Sequence, residues 1–226
     1  MKAVGVIIPA GGAGRRMGGI SKPFIELGGE PVLARSLRPF LARPDVRWVV
    51  VALPASVHAD PPDWLRSDPR TILVVGGAER SDSVRNALAA LPGECDIVLV
   101  HDAARPMVDA AVIQRCVEAA AGGVSALAAV PVTDTIKEVD DGGRVVATPD
   151  RRRLRAAQTP QAFPAGVLRM AHDRAAREGI GATDDAALVA RYGATVVVVD
   201  GTPENLKITT PADLAVAEAL LQRERS

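Results

Sequence analysis

The chain is 226 residues long, enough for one large domain or two small ones, and its 48% apolar content with only 3% aromatics requires a core of Ala, Val and Leu. Its 27 basic and 27 acidic residues balance, which argues against nucleic acid or membrane as a partner and leaves any functional cations local. No apolar run approaches the roughly 20 residues that cross a bilayer, Met1-Lys2 leaves no room for a leader, and Cys95 and Cys116 lack metal or redox spacing, so a cytoplasmic protein with buried, reduced thiols is expected.

The first element is the apolar run Val4-Gly5-Val6-Ile7-Ile8, read as a buried strand. It leads into Pro9-Ala10-Gly11-Gly12-Ala13-Gly14-Arg15-Arg16-Met17, with Lys22 close behind. Small residues let the backbone approach a ligand and turn its N–H groups inward, while the cations offset anionic charge, so this loop is equipped to hold a polyphosphate. A Walker A loop needs Gly-x-x-x-x-Gly-Lys followed by Ser or Thr, and none occurs. The dinucleotide pattern Gly-x-Gly-x-x-Gly can start at Gly12 and Gly14, but Met17 stands at its third glycine. Gly18-Gly19-Ile20-Ser21-Lys22-Pro23 also cannot continue as a helix. That weakens the reading as a nicotinamide oxidoreductase and leaves an open basic loop over a nucleotide triphosphate.

Further along, residues 46–53, 71–75, 97–101, 124–130 and 194–199 are β-branched and almost continuously apolar, the pattern of strands buried on both faces. Between them, residues 32–41, 83–91, 110–121, 165–177, 184–192 and 212–221 carry helical periodicity. Helix starts are marked by Ser81 or Asp82, by Thr183 and by Pro211. The alternation predicts a Rossmann-like, three-layer α/β/α fold with a mainly parallel mixed sheet, and residues 1–226 read as a single domain. One stretch, at about 134–158, breaks the rhythm. Two short β-prone pieces flank Asp140-Asp141-Gly142-Gly143, and the basic run Arg151-Arg152-Arg153 follows. This stretch is too polar for central sheet and reads either as a projecting β-hairpin arm or as an ordinary surface hairpin.

Ligands of such a sheet sit beyond the carboxyl ends of its strands. Those ends carry Gly76-Gly77 through Ser83, then His101-Asp102-Ala103-Ala104-Arg105-Pro106, then Asp134-Thr135, then Asn205-Leu206-Lys207-Ile208-Thr209. His101-Asp102 sets a base beside an acid, although His101 can equally pack or hydrogen-bond at the strand end. Lys207 alone would be a solvated edge residue, Gly76-Gly77 a plain turn and Ser83 a helix-start hydroxyl. No Gly-x-Ser-x-Gly elbow, reactive cysteine setting or paired histidine occurs, and His58, His101 and His172 have no metal spacing. Transfer of a nucleotidyl group to a phosphate fits these absences, because the attacking oxygen is already ionised and the protein mainly positions reactants and stabilises charge.

These motifs, in this order and over nearly the whole chain, resemble those of the 2-C-methyl-D-erythritol 4-phosphate cytidylyltransferases. The first loop is shared by many sugar nucleotidyltransferases. His-Asp-Ala-Ala-Arg-Pro together with Thr159-Pro160-Gln161 is more specific, and Thr183-Asp184 and Asn205 to Thr209 match as well. Gly11, Ser21 and Ala78 depart from the family's usual alanine, proline and aspartate, and the Ala-Gly-Gly spelling leans towards the ribitol 5-phosphate cytidylyltransferases.

The resemblance implies a role for each matching position. Arg16 and Lys22 would stabilise the triphosphate and the transition state, with Arg151 and Lys207 completing the catalytic set. Pro9, Ala10, Gly11, Gly12, Gly14, Gly77, Ser83 and Ala103 would hold CTP. Asp102, Arg105, Thr135, Arg151, Thr159, Thr183 and Lys207 would surround the polyol phosphate. It further implies Mg²⁺ held mainly by the CTP phosphates, no metal ligands on the protein, and a homodimer in which Thr135 and Arg151 of the arm complete the neighbouring subunit's site. A CTP-sensing domain without catalysis is the non-enzymatic alternative.

Overall fold

The computed structural model describes residues 2–11, 22–181 and 183–225, apart from the side chains of Lys22, Glu224 and Arg225. In chain order its elements are β1 (Val4–Pro9), β2 (Glu26–Leu27), β3 (Glu30–Pro31), α1 (Val32–Leu41), β4 (Val46–Leu53), α2 (Ala55–Ala59), β5 (Thr71–Val75), α3 (Arg80–Ala90), β6 (Ile97–Val100), α4 (Ala110–Ala121), β7 (Ser125–Pro131), β8 (Glu138–Val139), β9 (Val145–Ala147), β10 (Arg155–Pro164), α5 (Ala165–Glu178), α6 (Asp185–Arg191), β11 (Val196–Asp200) and α7 (Pro211–Arg225). Short 3-10 turns occupy Lys22–Phe24, Asp63–Arg66 and Arg151–Arg153.

Seven strands form one sheet in the order β11-β7-β10-β6-β1-β4-β5. β10 runs antiparallel to both of its neighbours, and the remaining pairs are parallel. Because successive side chains of a strand point to opposite faces, one continuous apolar run feeds two cores. Val6, Ile8 and Leu99 pack with Leu37 and Phe40 of α1 and Ile113 and Cys116 of α4. Ile7, Val98 and Val100 pack on the other face with Val84 and Leu88 of α3, Leu168 of α5 and Val189 of α6. The result is the expected three-layer α/β/α arrangement. α7 lies to one side, where Ala217 and Leu221 close a smaller cluster with Leu27, Val32 and Ile208.

Three readings of the sequence change in detail. Arg155 to Gln158, assigned to the arm, belong to β10, a central strand. Its first three residues are exposed and its register shifts around Pro160, so neither apolar pattern nor ladder continuity marks it in the sequence. Helix α3 starts at Arg80, with the Asp82 carboxylate accepting from the Glu79 N–H at 3.2 Å, so Ser81 and Asp82 lie inside the helix. The cap of α6 is Asp184, not Thr183; its carboxylate accepts from the Ala187 N–H at 2.7 Å. The hairpin is present, its strands β8 and β9 antiparallel and exposed. Its turn is closed by Asp140, whose carboxylate accepts from Gly142 N–H and Arg144 N–H, both at 2.9 Å, while Gly143 takes φ 75°.

Candidate active site

The chain runs from β1 outward through β4 and β5, then returns to β6 on the opposite side of β1. That reversal opens a crevice at the carboxyl ends of the strands. A cavity of about 210 Å³ lies there, lined by the small residues Pro9, Ala10, Gly11, Gly77, Ser83 and Ala103 and by the polar side chains Glu79, Arg80, Asp102 and Lys207. Two backbone segments meet closely along the small-residue wall. A β-carbon on Gly11 would stand 3.4 Å from Cα of Gly76 and 3.3 Å from Oγ of Ser83, and one on Gly77 would overlap the Asp82 side chain. Oγ of Ser83 accepts from Gly77 N–H at 3.1 Å and donates to the Glu79 carbonyl at 3.2 Å, which fixes the turn between β5 and α3. Ala103 is held through its carbonyl, which accepts from Oγ of Ser36 at 2.9 Å.

A second, polar cleft adjoins the first and shares Arg80, Asp102 and Lys207 with it. Arg105, Ala157, Gln158, Thr159, Gln161, Thr183 and Asp184 line the remainder. Hydrogen bonds from three segments build this cleft. Ile208 N–H donates to the Ala104 carbonyl at 2.8 Å, and Nη1 of Arg105 donates to the Asn205 carbonyl at 2.7 Å. Nδ2 of Asn205 in turn donates to the Thr159 carbonyl at 2.8 Å. This stitching of the 205–208 loop onto β10 and the end of β6 brings Nζ of Lys207 to 2.9 Å from Oδ2 of Asp102. Gln161 plays the same part for α6: its Oε1 accepts from Ala186 N–H at 3.0 Å, which sets Thr183 at the rim.

Asp102 is the electrostatic centre. Arg80 Nε lies 3.4 Å from its Oδ1, and Lys207 Nζ and Arg105 Nε lie 2.9 and 3.5 Å from its Oδ2. Burial raises the carboxyl pKa, but the charges of Arg80, Lys207 and Arg105 outweigh it and hold the group well below the ordinary carboxylate range. Asp102 is therefore ionised at neutral pH. Arg80 reaches further: its Nη1 donates to Oδ2 of Asp185 at 2.7 Å, and Oδ1 of Asp185 lies 2.9 Å from Nε2 of His172. Arg105 is largely committed within the protein, since Nη2 also donates to the Ala157 carbonyl at 3.3 Å.

The base that the sequence sets beside Asp102 takes no part in the clefts. His101 is fully buried, its ring 5.0 Å from that of Phe40, and burial pushes its pKa down to about 4. Lys207, which taken alone would read as a solvated edge residue, is ion-paired with Asp102. Pro9, Ala10, Gly11, Gly77, Ser83 and Ala103 meet in the first cleft, and Asp102, Arg105, Thr159, Thr183 and Lys207 in the second. Gly12, Gly14 and Arg16 lie outside the described residues, as does the side chain of Lys22, whose backbone forms the 3-10 turn beside the first cleft. Thr135 and Arg151 sit on the exposed arm and line neither cleft of their own chain, Arg151 donating through Nη1 to the Thr133 carbonyl at 2.7 Å. Glu79, Arg80, Ala157, Gln158 and Gln161 are among the cleft residues to which the sequence reading gave no role. Arg80 stands between Gly77 and Ser83, but its carboxylate partner Asp185 is 105 residues away.

The model of the IspD family, 2-C-methyl-D-erythritol 4-phosphate cytidylyltransferase, matches residues 4–223. A protein of that name from Symbiobacterium thermophilum is 50% identical over 222 residues, covering 98% of this chain and 94% of its own. The crystal structure of the Thermus thermophilus 2-C-methyl-D-erythritol 4-phosphate cytidylyltransferase superposes with a TM-score of 0.83 at 37% identity, covering 98% of this chain and 100% of its own. The Anaerococcus prevotii 4-diphosphocytidyl-2C-methyl-D-erythritol synthase gives a TM-score of 0.88 at 29% identity, covering 98% and 96%. The family model, the relative and the solved structures agree over nearly the whole length, and the chain belongs to the 2-C-methyl-D-erythritol 4-phosphate cytidylyltransferase family.

Proposed function

We propose that the protein joins CTP and 2-C-methyl-D-erythritol 4-phosphate into 4-diphosphocytidyl-2-C-methyl-D-erythritol, releasing pyrophosphate, as a step in isoprenoid precursor synthesis. The observation that carries this reading, beside family membership, is the meeting of a glycine-walled cleft and a cationic polar cleft at Asp102, Arg80 and Lys207. A nucleotide in the first cleft and a phosphorylated polyol in the second would face each other across those three side chains. An acceptor phosphate oxygen attacks the α-phosphorus in line, a new P–O bond forms, and the bond to pyrophosphate breaks. No protein base is needed, because the attacking oxygen carries no proton near neutral pH.

Each group has a place in this scheme. Backbone around Ala10, Gly11 and Gly77, with Ser83 and Ala103, takes the nucleotide. Lys207 and Asp102 meet the acceptor, Thr183 and Thr159 border it, and Arg105 holds the loops around it. Arg16 and Lys22 stabilise charge building on the phosphates. Mg²⁺ is proposed to enter with the nucleotide, held mainly by its phosphates. The carboxylates lining the first cleft, Glu79 and Asp102, fit that arrangement better than a protein-held site, since Asp102 already faces three cations. When bound, the ion would neutralise phosphate charge.

The 226 residues act as one nucleotidyltransferase domain, and the arm pairs two copies so that Thr135 and Arg151 reach the partner's acceptor cleft. This is supported by the arm's exposed apolar side chains, Val139, Val145 and Val146, each more than half exposed. A cytoplasmic location accompanies the reading, in keeping with two buried free thiols. No described helix is long and apolar enough to cross a membrane. The test is pyrophosphate release from CTP with methylerythritol 4-phosphate and, side by side, ribitol 5-phosphate. Higher kcat/KM for the former is expected, and the reverse order would reassign the acceptor. CTP binding without release from either would leave only a sensing role.

A further inference from the structure

Arg80 is the first residue of α3, and its guanidinium crosses the wall between the two clefts. One side faces Oδ1 of Asp102 at 3.4 Å, and the other donates to Oδ2 of Asp185 at 2.7 Å. Asp185 lines neither cleft. It is 2% exposed in the first turn of α6 and is held from behind by His172 of α5, itself 3% exposed. A buried carboxylate needs this much pairing to remain ionised. His172 and Arg80 hold its pKa below the ordinary carboxylate range against the opposing effect of burial. Asp185 is thus a fixed anchor, and Arg80 is the rigid link from that anchor to the site.

The consequence falls on Asp102. Its other oxygen carries Lys207 at 2.9 Å, so where Asp102 sits decides where the ammonium sits. From the geometry we infer that Arg80 is a positioning residue for the acceptor. Anchored by Asp185 and His172, it fixes the Asp102 carboxylate, and through it Lys207, against the polyol phosphate. This inference rests on the acceptor reading of the second cleft given above. Arginine suits the role because its planar fork bonds two carboxylates at once, which a lysine cannot do with fixed geometry. The fold gains little from such a bridge compared with an apolar pair of the same shape, which makes a positioning role the more economical account of a three-element ion chain ending at the active site.

The experiment measures kcat, KM for methylerythritol 4-phosphate and KM for CTP in wild type, Arg80→Met, Asp185→Asn and the double variant, with thermal midpoints alongside. All three variants should raise KM for the polyol phosphate by roughly tenfold and lower kcat less, and Asp185→Asn, which lines neither cleft, should leave KM for CTP within about threefold. The double variant should be no worse than the poorer single one, because both changes cut the same link. It also removes both partners of the ion pair together, so it should fold even if Arg80→Met strands the buried Asp185 and does not. In Asp185→Asn an unchanged polyol KM or an equal rise in KM for CTP would overturn the inference, as would multiplied effects in the double variant. Absence of CTP-dependent pyrophosphate release by the wild type would instead sink the reaction itself, so the two failures are distinguishable.

Discussion

Oγ1 of Thr159 lies 3.0 Å from Nδ1 of His101, joining β10 to the end of β6 across 58 residues of sequence. The same oxygen is 2.9 Å from the backbone nitrogen of Asp102, and Nε2 of His101 is 3.1 Å from the Arg105 carbonyl. The chemistry allows one assignment. The Asp102 N–H must donate to Thr159, and the Arg105 carbonyl must accept from Nε2–H. Nδ1 is then the unprotonated nitrogen that takes the Thr159 proton. The two most specific motifs in the sequence, His-Asp-Ala-Ala-Arg-Pro and Thr-Pro-Gln, are thereby one hydrogen-bonded unit, which holds the backbone of Asp102.

Thr159→Val tests that unit. The substitution keeps shape but strands a buried N–H and a buried ring nitrogen, a loss on the order of 2 kcal/mol or more in folding stability. Chemical denaturation should show that loss, and the polyol KM should rise because the Asp102 backbone is released. Thr159→Ser should recover most of both. A valine variant as stable as wild type would mean that the hydroxyl does not carry the network.

The same network predicts an acid dependence. The pKa of His101 is about 4 in the folded chain against 6.5 for an ordinary histidine, the main cause being burial. Between those values the unfolded chain holds the extra proton, so stability must fall as pH drops through that window and must be complete above it. From pH 7 to pH 5 the loss should be about 2 kcal/mol for this one group. Asp102, its pKa depressed by its three cations, adds its own loss only at lower pH, below the ordinary carboxylate range. Urea denaturation at pH 7 and pH 5 measures the slope, and His101→Gln should flatten it. An equally steep slope in that variant would assign the dependence to other groups.

Gly77→Ala addresses the nucleotide wall. A methyl there meets the Asp82 side chain, whose carboxylate accepts from the Glu79 N–H at the start of α3. The turn must then open, moving the Gly77 amide and Ser83 away from the cleft. CTP affinity measured by titration calorimetry should fall by at least about tenfold, a displacement effect and not a lost side-chain contact. Unchanged affinity would show that the nucleotide does not use this wall.

How far the sequence carried the structure depended on which contacts are local. β4, β5, α1 and α4 were legible to the residue, because each is a long run of one period ending at a turn or cap. β10 was not, since Arg155-Ala156-Ala157 are exposed and Pro160 interrupts the pattern. The strand gains its place from pairing on both sides with β6 and β7, which only the fold supplies. In the site, the glycine wall and Asp102 were legible from their place after strands. The Arg80, Asp185 and His172 chain was not, because it is made of polar side-chain pairs between α3, α5 and α6, and such residues on helices ordinarily face solvent.

The arm yields a prediction about the assembly. Val145 and Val146 are 59% and 58% exposed on a two-stranded hairpin, too small a unit to be stable on its apolar face without cover. If a second copy supplies that cover, Val146→Asp should shift the protein from dimer to monomer in sedimentation at micromolar concentration. Activity should fall with the dimer, because Arg151 lines neither cleft of its own chain. Arg151→Ala should then chiefly raise the polyol KM while leaving the dimer intact. Mixing it with Lys22→Ala should restore activity, since a hybrid dimer contains one site with both residues native; at random exchange in an equal mixture about half of the dimers are hybrids, so about a quarter of all sites regain both. Restoration requires that Arg151 and Lys22 of one site come from different chains. If subunits exchange and no activity returns, each chain builds its site alone, and the valines cover something other than a second active site.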